Sequence, residues 1–317
     1  VGSEMCIRDR SYILIFVFIE GVIMKRKKKA GPNYNIYGWI FISLAFLLYI
    51  IFTIYPAIDS LLLAFQSFEG GKYTFVGLKN FKRMFGDAIF LKSLGNTFLY
   101  MVIQVPIMLL FALIIATLLN SKFLKFKGFF RTSVFLPCVT SLVAYSIIFK
   151  MLFSLDGLLN QVLIKLGILD APYQYLQDST WARAVIIIAM IWRWTGYNVI
   201  FYLSAMQNIP KETFEAAKVD GANAVQTFFK ITIPQLKPIV LLTTIMSTNG
   251  TLQLFDETMN ITQGGPANAT ITVSHYIYNQ SFVYAPNFGY ASAISYMVVF
   301  IMIILAIIQF TVAGKED

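Results

Sequence analysis

The chain has 317 residues, of which 57% are apolar or aromatic and only 13% are charged. Soluble domains carry about 45–50% apolar and about 25% charged residues, so these proportions exclude a disordered chain, a fibrous chain and an ordinary soluble enzyme. Two cysteines exclude a disulfide framework, and one histidine, His275, excludes a histidine-clustered metal site, so we expect no bound metal. In a membrane protein, a net charge of +9 first indicates which loops face the cytoplasm. It is therefore weak evidence for nucleic acid, and we expect no nucleic-acid partner.

Six stretches are long and apolar enough to cross a lipid bilayer, whose core of about 30 Å requires about 20 residues of helix. They are residues 36–58, 93–119, 132–149, 184–206, 238–255 and 290–312. Only the fourth contains a charged side chain, Arg193. The third and fifth are near the short limit, which leaves a re-entrant loop as the alternative for either. The sequence therefore predicts an all-α membrane protein with six transmembrane helices.

The positions of lysine and arginine predict the orientation of these helices. With the N-terminus inside, the inner segments carry more lysine and arginine than the outer loops, so both termini are expected in the cytoplasm. Residues 24–35 form a basic cytoplasmic tail that contacts lipid headgroups, and residues 36–314 form the six-span domain. Residues 1–10 show no apolar period, and the apolar run 12–19 is too short to span a bilayer, so we interpret residues 1–23 as a non-native or disordered extension.

The loop between the fourth and fifth spans, residues 207–237, carries the most specific pattern in the chain. Asn208 and Pro210 predict the start of a helix, because Asn caps a first turn and Pro lacks an N–H that the first turn would leave unpaired. Asp220 and Gly221 predict its end, since Gly adopts the left-handed conformation that closes helices.

A second short helix is predicted from residue 222 to about residue 230, stopped by Pro234 and Pro238. The two helices would stand on the cytoplasmic face with apolar side chains that lipid does not cover. An exposed apolar surface of this kind indicates a partner protein. The side chains that we expect on it are Phe214, Ala217, Phe228 and Phe229.

This loop closely resembles the cytoplasmic signature of ABC-transporter permeases that work with a substrate-binding protein. That signature is Glu-Ala-Ala, two free positions, Asp-Gly-Ala, five free, Phe, two free, Ile, one free, Leu-Pro, three free, Pro. Ile233 stands where Leu is usual. The matching residues are Glu215, Ala216, Ala217, Asp220, Gly221, Ala222, Phe228, Ile231, Pro234 and Pro238.

The resemblance implies that residues 207–237 form the coupling element, which docks into a cleft on a cytoplasmic ATPase. Glu215 and Asp220 would shape and anchor this element, whereas small residues would allow close approach of the ATPase. The implied docking residues are Glu215, Ala216, Ala217, Asp220, Gly221, Ala222, Phe228 and Pro234.

The resemblance also implies partners and a mechanism. The partners are cytoplasmic ATPase subunits, a second permease that is a copy or more often a different sister chain, an extracytoplasmic solute-binding protein and the lipid bilayer. The chain has no phosphate loop of the G-x-x-x-x-G-K-[ST] type, so it binds no cofactor itself and ATP is used by the partner. Transport would follow alternating access in a bacterial or archaeal inner membrane.

Further segments resemble the sugar-permease branch of the family, which favours a mono- or oligosaccharide as substrate. They are residues 75–81, Trp192, Gly196, residues 207–210, Phe255-Asp256 and residues 262–270. A permease for glycerol phosphate or another small solute is the alternative. An ion-coupled secondary transporter is disfavoured, because it needs acidic residues inside the spans and the predicted spans have none there.

Candidate residues for the translocation path are those whose charge is costly inside a membrane or whose side chains suit a sugar. Arg193 lies near the middle of its span, where a charge is costly and faces protein or water. Its alternative role is a structural ion pair with the sister chain or with Asp256. Tyr197, Asn249 and Gln253 offer an aromatic ring and planar amides to a sugar, although polar residues on the fifth span also suit helix packing. We expect Cys138 to serve packing and His275 to lie at the surface near the docked binding protein.

Overall fold

The computed structural model describes residues 34–121 and 124–313, so the predicted extension 1–23 and most of the basic tail lie outside the described residues. The described residues divide into two compact units, the first ending at Asp59 and the second beginning at Ser60. The described part contains five helices long and apolar enough to cross a membrane, or six if one bent pair counts as a span. The all-α prediction is confirmed, with one short β-hairpin added.

The elements in chain order are α1 (Tyr34–Tyr49), a π-helical turn (Ile50–Ile54), α2 (Tyr55–Ala64), β1 (Gln66–Glu69), β2 (Lys72–Phe75), α3 (Lys79–Gly86), α4 (Ala88–Asn120), α5 (Lys127–Val139), α6 (Leu142–Leu152), α7 (Leu158–Lys165), α8 (Ser179–Gln207), α9 (Lys211–Val219), α10 (Ala224–Thr227), a π-helical turn (Phe228–Thr232), α11 (Ile233–Leu252), a π-helical turn (Thr258–Thr262), α12 (Val273–Tyr278), a π-helical turn (Asn279–Val283) and α13 (Phe288–Ala313). Strands β1 and β2 pair antiparallel, with Gln66 opposite Phe75.

The first apolar helix is longer than the predicted span 36–58. It runs from Ile36 to Ala64 through the π-helical turn. Asp59, the residue just after the predicted span, therefore lies inside the helix. All side chains of residues 36–59 are exposed in the structure. A helix that is apolar on every side and exposed along its length is typical of a membrane-embedded segment.

Helices α4 and α8 begin about five residues before the predicted spans 93–119 and 184–206. In both, an aspartate just before the helix accepts hydrogen bonds from the backbone N–H groups two and three residues later. Asp87 caps α4 at 3.0 and 3.1 Å, and Asp178 caps α8 at 2.8 and 2.9 Å. These caps pair N–H groups that a helix start otherwise leaves unpaired, and they let each helix begin outside its apolar run.

The long helices α4 and α8 pack side by side and run in the same direction. Tyr100, in the first half of α4, belongs to the same buried cluster as Val185 in the first half of α8. Leu119, near the end of α4, belongs to another cluster together with Met206, near the end of α8. The beginnings of the two helices therefore lie at one end of the bundle and their ends at the other.

Both helix beginnings also contact the same loop. The Lys92 ammonium donates to the carbonyl oxygen of Ala267 at 2.7 Å, and Arg183 Nε donates to that of Ala269 at 2.8 Å. The chain between α4 and α8 must therefore return from one end of the bundle to the other. Helices α5 and α6 form part of this returning segment.

The predicted third span, 132–149, is not one straight helix. Helices α5 and α6 are bent by 98° at a two-residue break. Pro137 lies inside the last turn of α5, and Thr140 and Ser141 are extended, with ψ of 148° and 138°. Proline weakens the helix at this point because it lacks an N–H and its ring crowds the preceding turn. Residues 132–149 carry no charged side chain, and for that reason sequence analysis treated them as one continuous span.

The predicted stop at Pro234 and Pro238 is wrong. Helix α10, the π-helical turn and α11 form one continuous helix, Val225–Leu252. In the π-helical turn the N–H of Ile233 bonds to the carbonyl of Phe228, five residues back. A π-helical turn shifts the hydrogen-bond register by one residue, so it accommodates a proline at the next position without ending the helix. Helix α11, which corresponds to the predicted fifth span, ends at Leu252 rather than at residue 255.

Asp87 joins two further elements besides capping α4. Its second carboxylate oxygen accepts hydrogen bonds from Tyr276 on α12 at 2.6 Å and from Tyr290 on α13 at 2.7 Å. Burial would raise the pKa of Asp87, but these hydroxyls and the two capping amides lower it below its usual value. The resulting stabilisation is present above the pKa of an unfolded Asp, about 3.9, and is lost as the pH falls through the lower folded value.

We expect Asp87→Asn to lower the free energy of unfolding by about 1–2 kcal/mol at pH 7, because two hydroxyls then bond to a neutral group instead of a charged one. Thermal unfolding of the detergent-solubilised chain measures this loss. Asp178→Asn is the matched control, since Asn caps a helix as well as Asp does and the carboxylate of Asp178 is exposed. The deficit of Asp87→Asn should shrink below about pH 4; equal losses in both variants would contradict this role of Asp87.

Candidate functional site

The coupling segment, residues 207–237, contains a helix closed by a Schellman motif. Helix α9 ends at Val219, and Gly221 adopts φ of +75°. The N–H of Ala222 bonds to the carbonyl of Ala217 at 2.9 Å, and that of Gly221 to the carbonyl of Lys218 at 3.1 Å. These two bonds define the motif, and they require a residue that tolerates the left-handed conformation. The Asp-Gly-Ala part of the signature is thus a helix terminator.

A capping box that sequence analysis missed starts the next helix. Gln226 N–H donates to the side chain of Asn223 at 2.8 Å, and Asn223 N–H donates to the side chain of Gln226 at 2.9 Å. The spacing of Asn and Gln by three residues is a recognised signal for this arrangement. The helix therefore begins at Ala224, two residues later than predicted.

The exposed face of the coupling segment differs from the predicted one. Ala217 is buried, and Phe228 packs against the cluster formed by the ends of α4 and α8, so the prediction that both lie on an exposed apolar face is wrong. Phe229 is 60% exposed, as predicted, and Val219, which was not predicted, is 87% exposed. The remaining predicted docking residues with exposed side chains or backbone are Glu215, Ala216, Asp220, Gly221 and Pro234.

Arg193 on α8 binds the bend between α5 and α6. Its guanidinium donates to the carbonyl oxygens of Thr140 at 2.7 Å, Pro137 at 3.1 Å and Cys138 at 3.3 Å. It also lies over the ring of Tyr145, 4.7 Å from the ring centre. The described partners of this buried charge are thus carbonyls, the Thr140 hydroxyl and aromatic rings, and not Asp256, which was one of the alternatives for an ion pair.

The contacts of Arg193 supply hydrogen-bond donors to carbonyl groups at the end of α5. The last carbonyls of a helix have no partner within the helix, and in a membrane water cannot supply one. The fork of N–H groups on an arginine can serve several carbonyls at once. Helices α5 and α8 approach closely here: a Cβ on Gly196 would lie 2.0 Å from the carbonyl oxygen of Val134. Cys138, predicted to serve packing, donates to the carbonyl of Arg193 at 2.9 Å.

A cavity of about 310 Å³ lies among α4, α6, α8 and α11, close to the residues that follow α11. Two of the four predicted path residues, Tyr197 and Gln253, line it, whereas Arg193 and Asn249 do not. Residues that sequence analysis missed also contribute, above all Trp194, whose ring meets that of Tyr197 edge to face at 6.1 Å. Ring faces and amides next to one cavity are typical of small-molecule sites.

Glu257 and His275 are both buried beside this cavity region. Glu257 is 3% exposed, lines the cavity and accepts a hydrogen bond from the Tyr145 hydroxyl. Burial raises its pKa, and the bond from Tyr145 offsets part of that rise. The prediction that His275 lies at the surface is wrong: it is 2% exposed, and its ring nitrogen pairs with the Thr258 hydroxyl at 3.1 Å.

We expect Arg193→Met to lower the free energy of unfolding by about 3 kcal/mol or more, because several buried carbonyls lose their donor at about 1–3 kcal/mol each. Thermal unfolding in detergent measures the loss. Arg193→Lys should be intermediate, since one ammonium cannot reproduce the fork. Arg131→Met, at an exposed arginine on α5, is the control and should behave like the wild type. Normal stability of Arg193→Met would contradict the structural role.

Comparison with known proteins identifies the family. The sequence profile described as "binding-protein-dependent transport system inner membrane component" matches residues 88–314. The lactose transport system permease protein LacF of Rhizobium radiobacter is 49% identical over 285 residues, which are 89% of this chain and 96% of LacF. The arabinooligosaccharides transport system permease protein AraP of Halalkalibacterium halodurans is 34% identical over 280 residues, 87% of each protein.

The fold is also shared with a solved structure. A bacterial ABC transporter involved in the import of the acidic polysaccharide alginate contains a chain that matches with a TM-score of 0.78 at 21% identity, over 89% of this chain and 96% of that one. At this identity the likeness concerns the fold alone. Together, the profile match, the two relatives and the coupling segment show that this chain belongs to the binding-protein-dependent transport-system inner-membrane components, the multi-pass membrane permeases of ABC importers.

Proposed function

We propose that this chain is a transmembrane permease subunit of an ATP-driven importer for a mono- or oligosaccharide. One observation carries the proposal: two helices that wall the cavity, α8 and α11, are the same helices that hold the coupling segment at the far end of the bundle. The names of LacF and AraP, which specify lactose and arabinooligosaccharides, support a saccharide as the substrate.

Only short or unbroken links connect the coupling segment to the two helices, α8 and α11, that line the cavity. Three residues separate the end of α8 at Gln207 from the start of α9 at Lys211, and α10 continues without a break into α11. The Schellman motif and the capping box leave little freedom between α9 and α10. A displacement of the coupling segment would therefore move two cavity walls as stiff levers. This arrangement suits alternating access, in which the cavity opens first to one side of the membrane and then to the other.

The remaining parts of the importer lie outside this chain. ATP would bind and be hydrolysed on separate cytoplasmic ATPase subunits that contact the coupling segment. A second permease, most simply a different sister chain, would complete the pathway, and an extracytoplasmic solute-binding protein would deliver the sugar. Both termini would face the cytoplasm, in line with the distribution of lysine and arginine and with six crossings that count the bent pair as one.

The candidate residues take separate roles in this proposal. Tyr197 and Gln253 contact the sugar in the cavity, together with Trp194. Arg193 supports the bend and acts on the path only through Tyr145. Asn249 lies on α11 outside the cavity lining and would contact the path only in another conformation of the transporter.

We expect ATP hydrolysis by the assembled importer in proteoliposomes to rise severalfold when the solute-binding protein and a suitable sugar are both present. The panel comprises lactose, arabinobiose and glycerol 3-phosphate. Stimulation by a saccharide supports the proposal. Stimulation by glycerol 3-phosphate alone, or by none of the three at saturating solute-binding protein, would overturn the saccharide assignment.

Charge reversal on the exposed face of α9 tests the coupling segment. We expect Glu215→Lys to remove most co-purification of the ATPase and most sugar-stimulated ATP hydrolysis, because the side chain is exposed at the predicted docking face. Asp156→Lys, an equal charge reversal at an exposed position in the loop between α6 and α7, is the control and should leave both unchanged. Full ATPase association with Glu215→Lys would contradict the docking role of this face.

A further inference from the structure

The polar side chains that line the cavity include two carboxyl groups and three amides, beside apolar and aromatic ones. Asp256 and Glu257 contribute carboxyl groups, and Gln104, Asn198 and Gln253 contribute amides. Of the described residues that line the cavity, none is lysine or arginine. A ligand held here therefore meets oxygen acceptors, amides and aromatic rings without a cation.

The nearest buried cation is engaged elsewhere. Arg193 directs its guanidinium to the carbonyls of Pro137, Cys138 and Thr140 and does not line the cavity. Its charge is separated from Glu257 by the ring of Tyr145, over which it lies. Moving the guanidinium to the cavity would leave the carbonyls of the bend unpaired, so this charge is not available to a ligand.

The carboxyl group of Glu257 is held in one position in the cavity wall. Glu257 is almost completely buried, and the Tyr145 hydroxyl fixes its carboxyl group. Tyr145 is itself fully buried against Phe149 and Trp192. Because neither side chain has room to turn away, Glu257 presents the same acceptor to every ligand that enters the cavity.

We propose that this cavity selects neutral saccharides and rejects acidic ones, and that Asp256 and Glu257 are the residues that determine this specificity. The inference rests on the proposed function, since it takes the cavity as part of the sugar path. Sugar hydroxyls donate to carboxyl oxygens and to amides. A uronate carboxylate in the same position meets Asp256 and Glu257, and none of the described residues that line the cavity is a lysine or arginine that could balance its charge, so the cost of removing it from water is not offset.

The test compares lactose with galacturonosyl-β-1,4-glucose, in which C6 of the galactose ring is a carboxylate and the rest of the molecule is unchanged. Equilibrium dialysis measures binding of each labelled sugar to the purified complex of this chain with its sister permease and ATPase. The solute-binding protein is left out, because it makes its own selection. The variants are Glu257→Gln and Asp256→Asn, with Asp170→Asn, an exposed acidic residue outside the cavity, as the control.

We expect the wild type and Asp170→Asn to bind lactose at least about tenfold more tightly than the acidic analogue. Glu257→Gln and Asp256→Asn should each reduce this ratio severalfold while lactose still binds, which also shows that the variants are folded. An unchanged ratio in both variants, or equal binding of the two sugars by the wild type, would overturn the inference and leave the importer function intact. If neither sugar binds while the assembled importer still transports lactose, the inference fails alone. If saccharide transport is absent as well, the proposed function fails with it.

Discussion

The pairing of the carbonyl groups at the bend between α5 and α6 is the constraint on which the rest of the structure depends. A helix that ends inside a membrane leaves carbonyls that water cannot reach, and each must find a donor in the protein. Arg193 supplies several donors from one side chain on α8. Because Gly196 lies one turn further along α8, the backbone of α5 can approach closely enough for those bonds to form. A charge that would be expensive alone is thus used to stabilise a broken span.

The bend has consequences at both ends of the bundle. The segment that contains the bend leads the chain back to the end of the bundle where α4 begins. Helices α4 and α8 can therefore run parallel and share two buried clusters. The bend also directs Tyr145 towards Glu257, beside the cavity. At the opposite end, α8 and α11 meet the coupling segment. The same pair of helices therefore contacts the proposed ligand cavity and the proposed ATPase surface, which is the geometry that an energy-coupled permease requires.

Local chemistry was largely predictable from the sequence, and long-range contacts were not. The apolar runs predicted where most long helices lie, and Asp220-Gly221 predicted the end of α9, because both depend on neighbouring residues only. The failures concern tertiary packing. Pro234 was expected to end a helix, yet a π-helical turn accommodates it. His275 was expected at the surface, yet the loop after α11 folds over it. Nothing in the local sequence distinguishes these outcomes.

The sequence by itself determined the membrane class, the main helices and the family, since apolar length and a motif of fixed spacing are properties of contiguous residues. Only the tertiary structure decided what the isolated polar residues do. Arg193 was an equal candidate for the path and for a structural ion pair, and its role followed from carbonyls more than fifty residues away in the chain. Glu257 lies two residues beyond the predicted fifth span, 238–255, and its position in the cavity wall follows from Tyr145 on another helix. A buried polar group takes its function from its partners, and partners distant in sequence are set by packing.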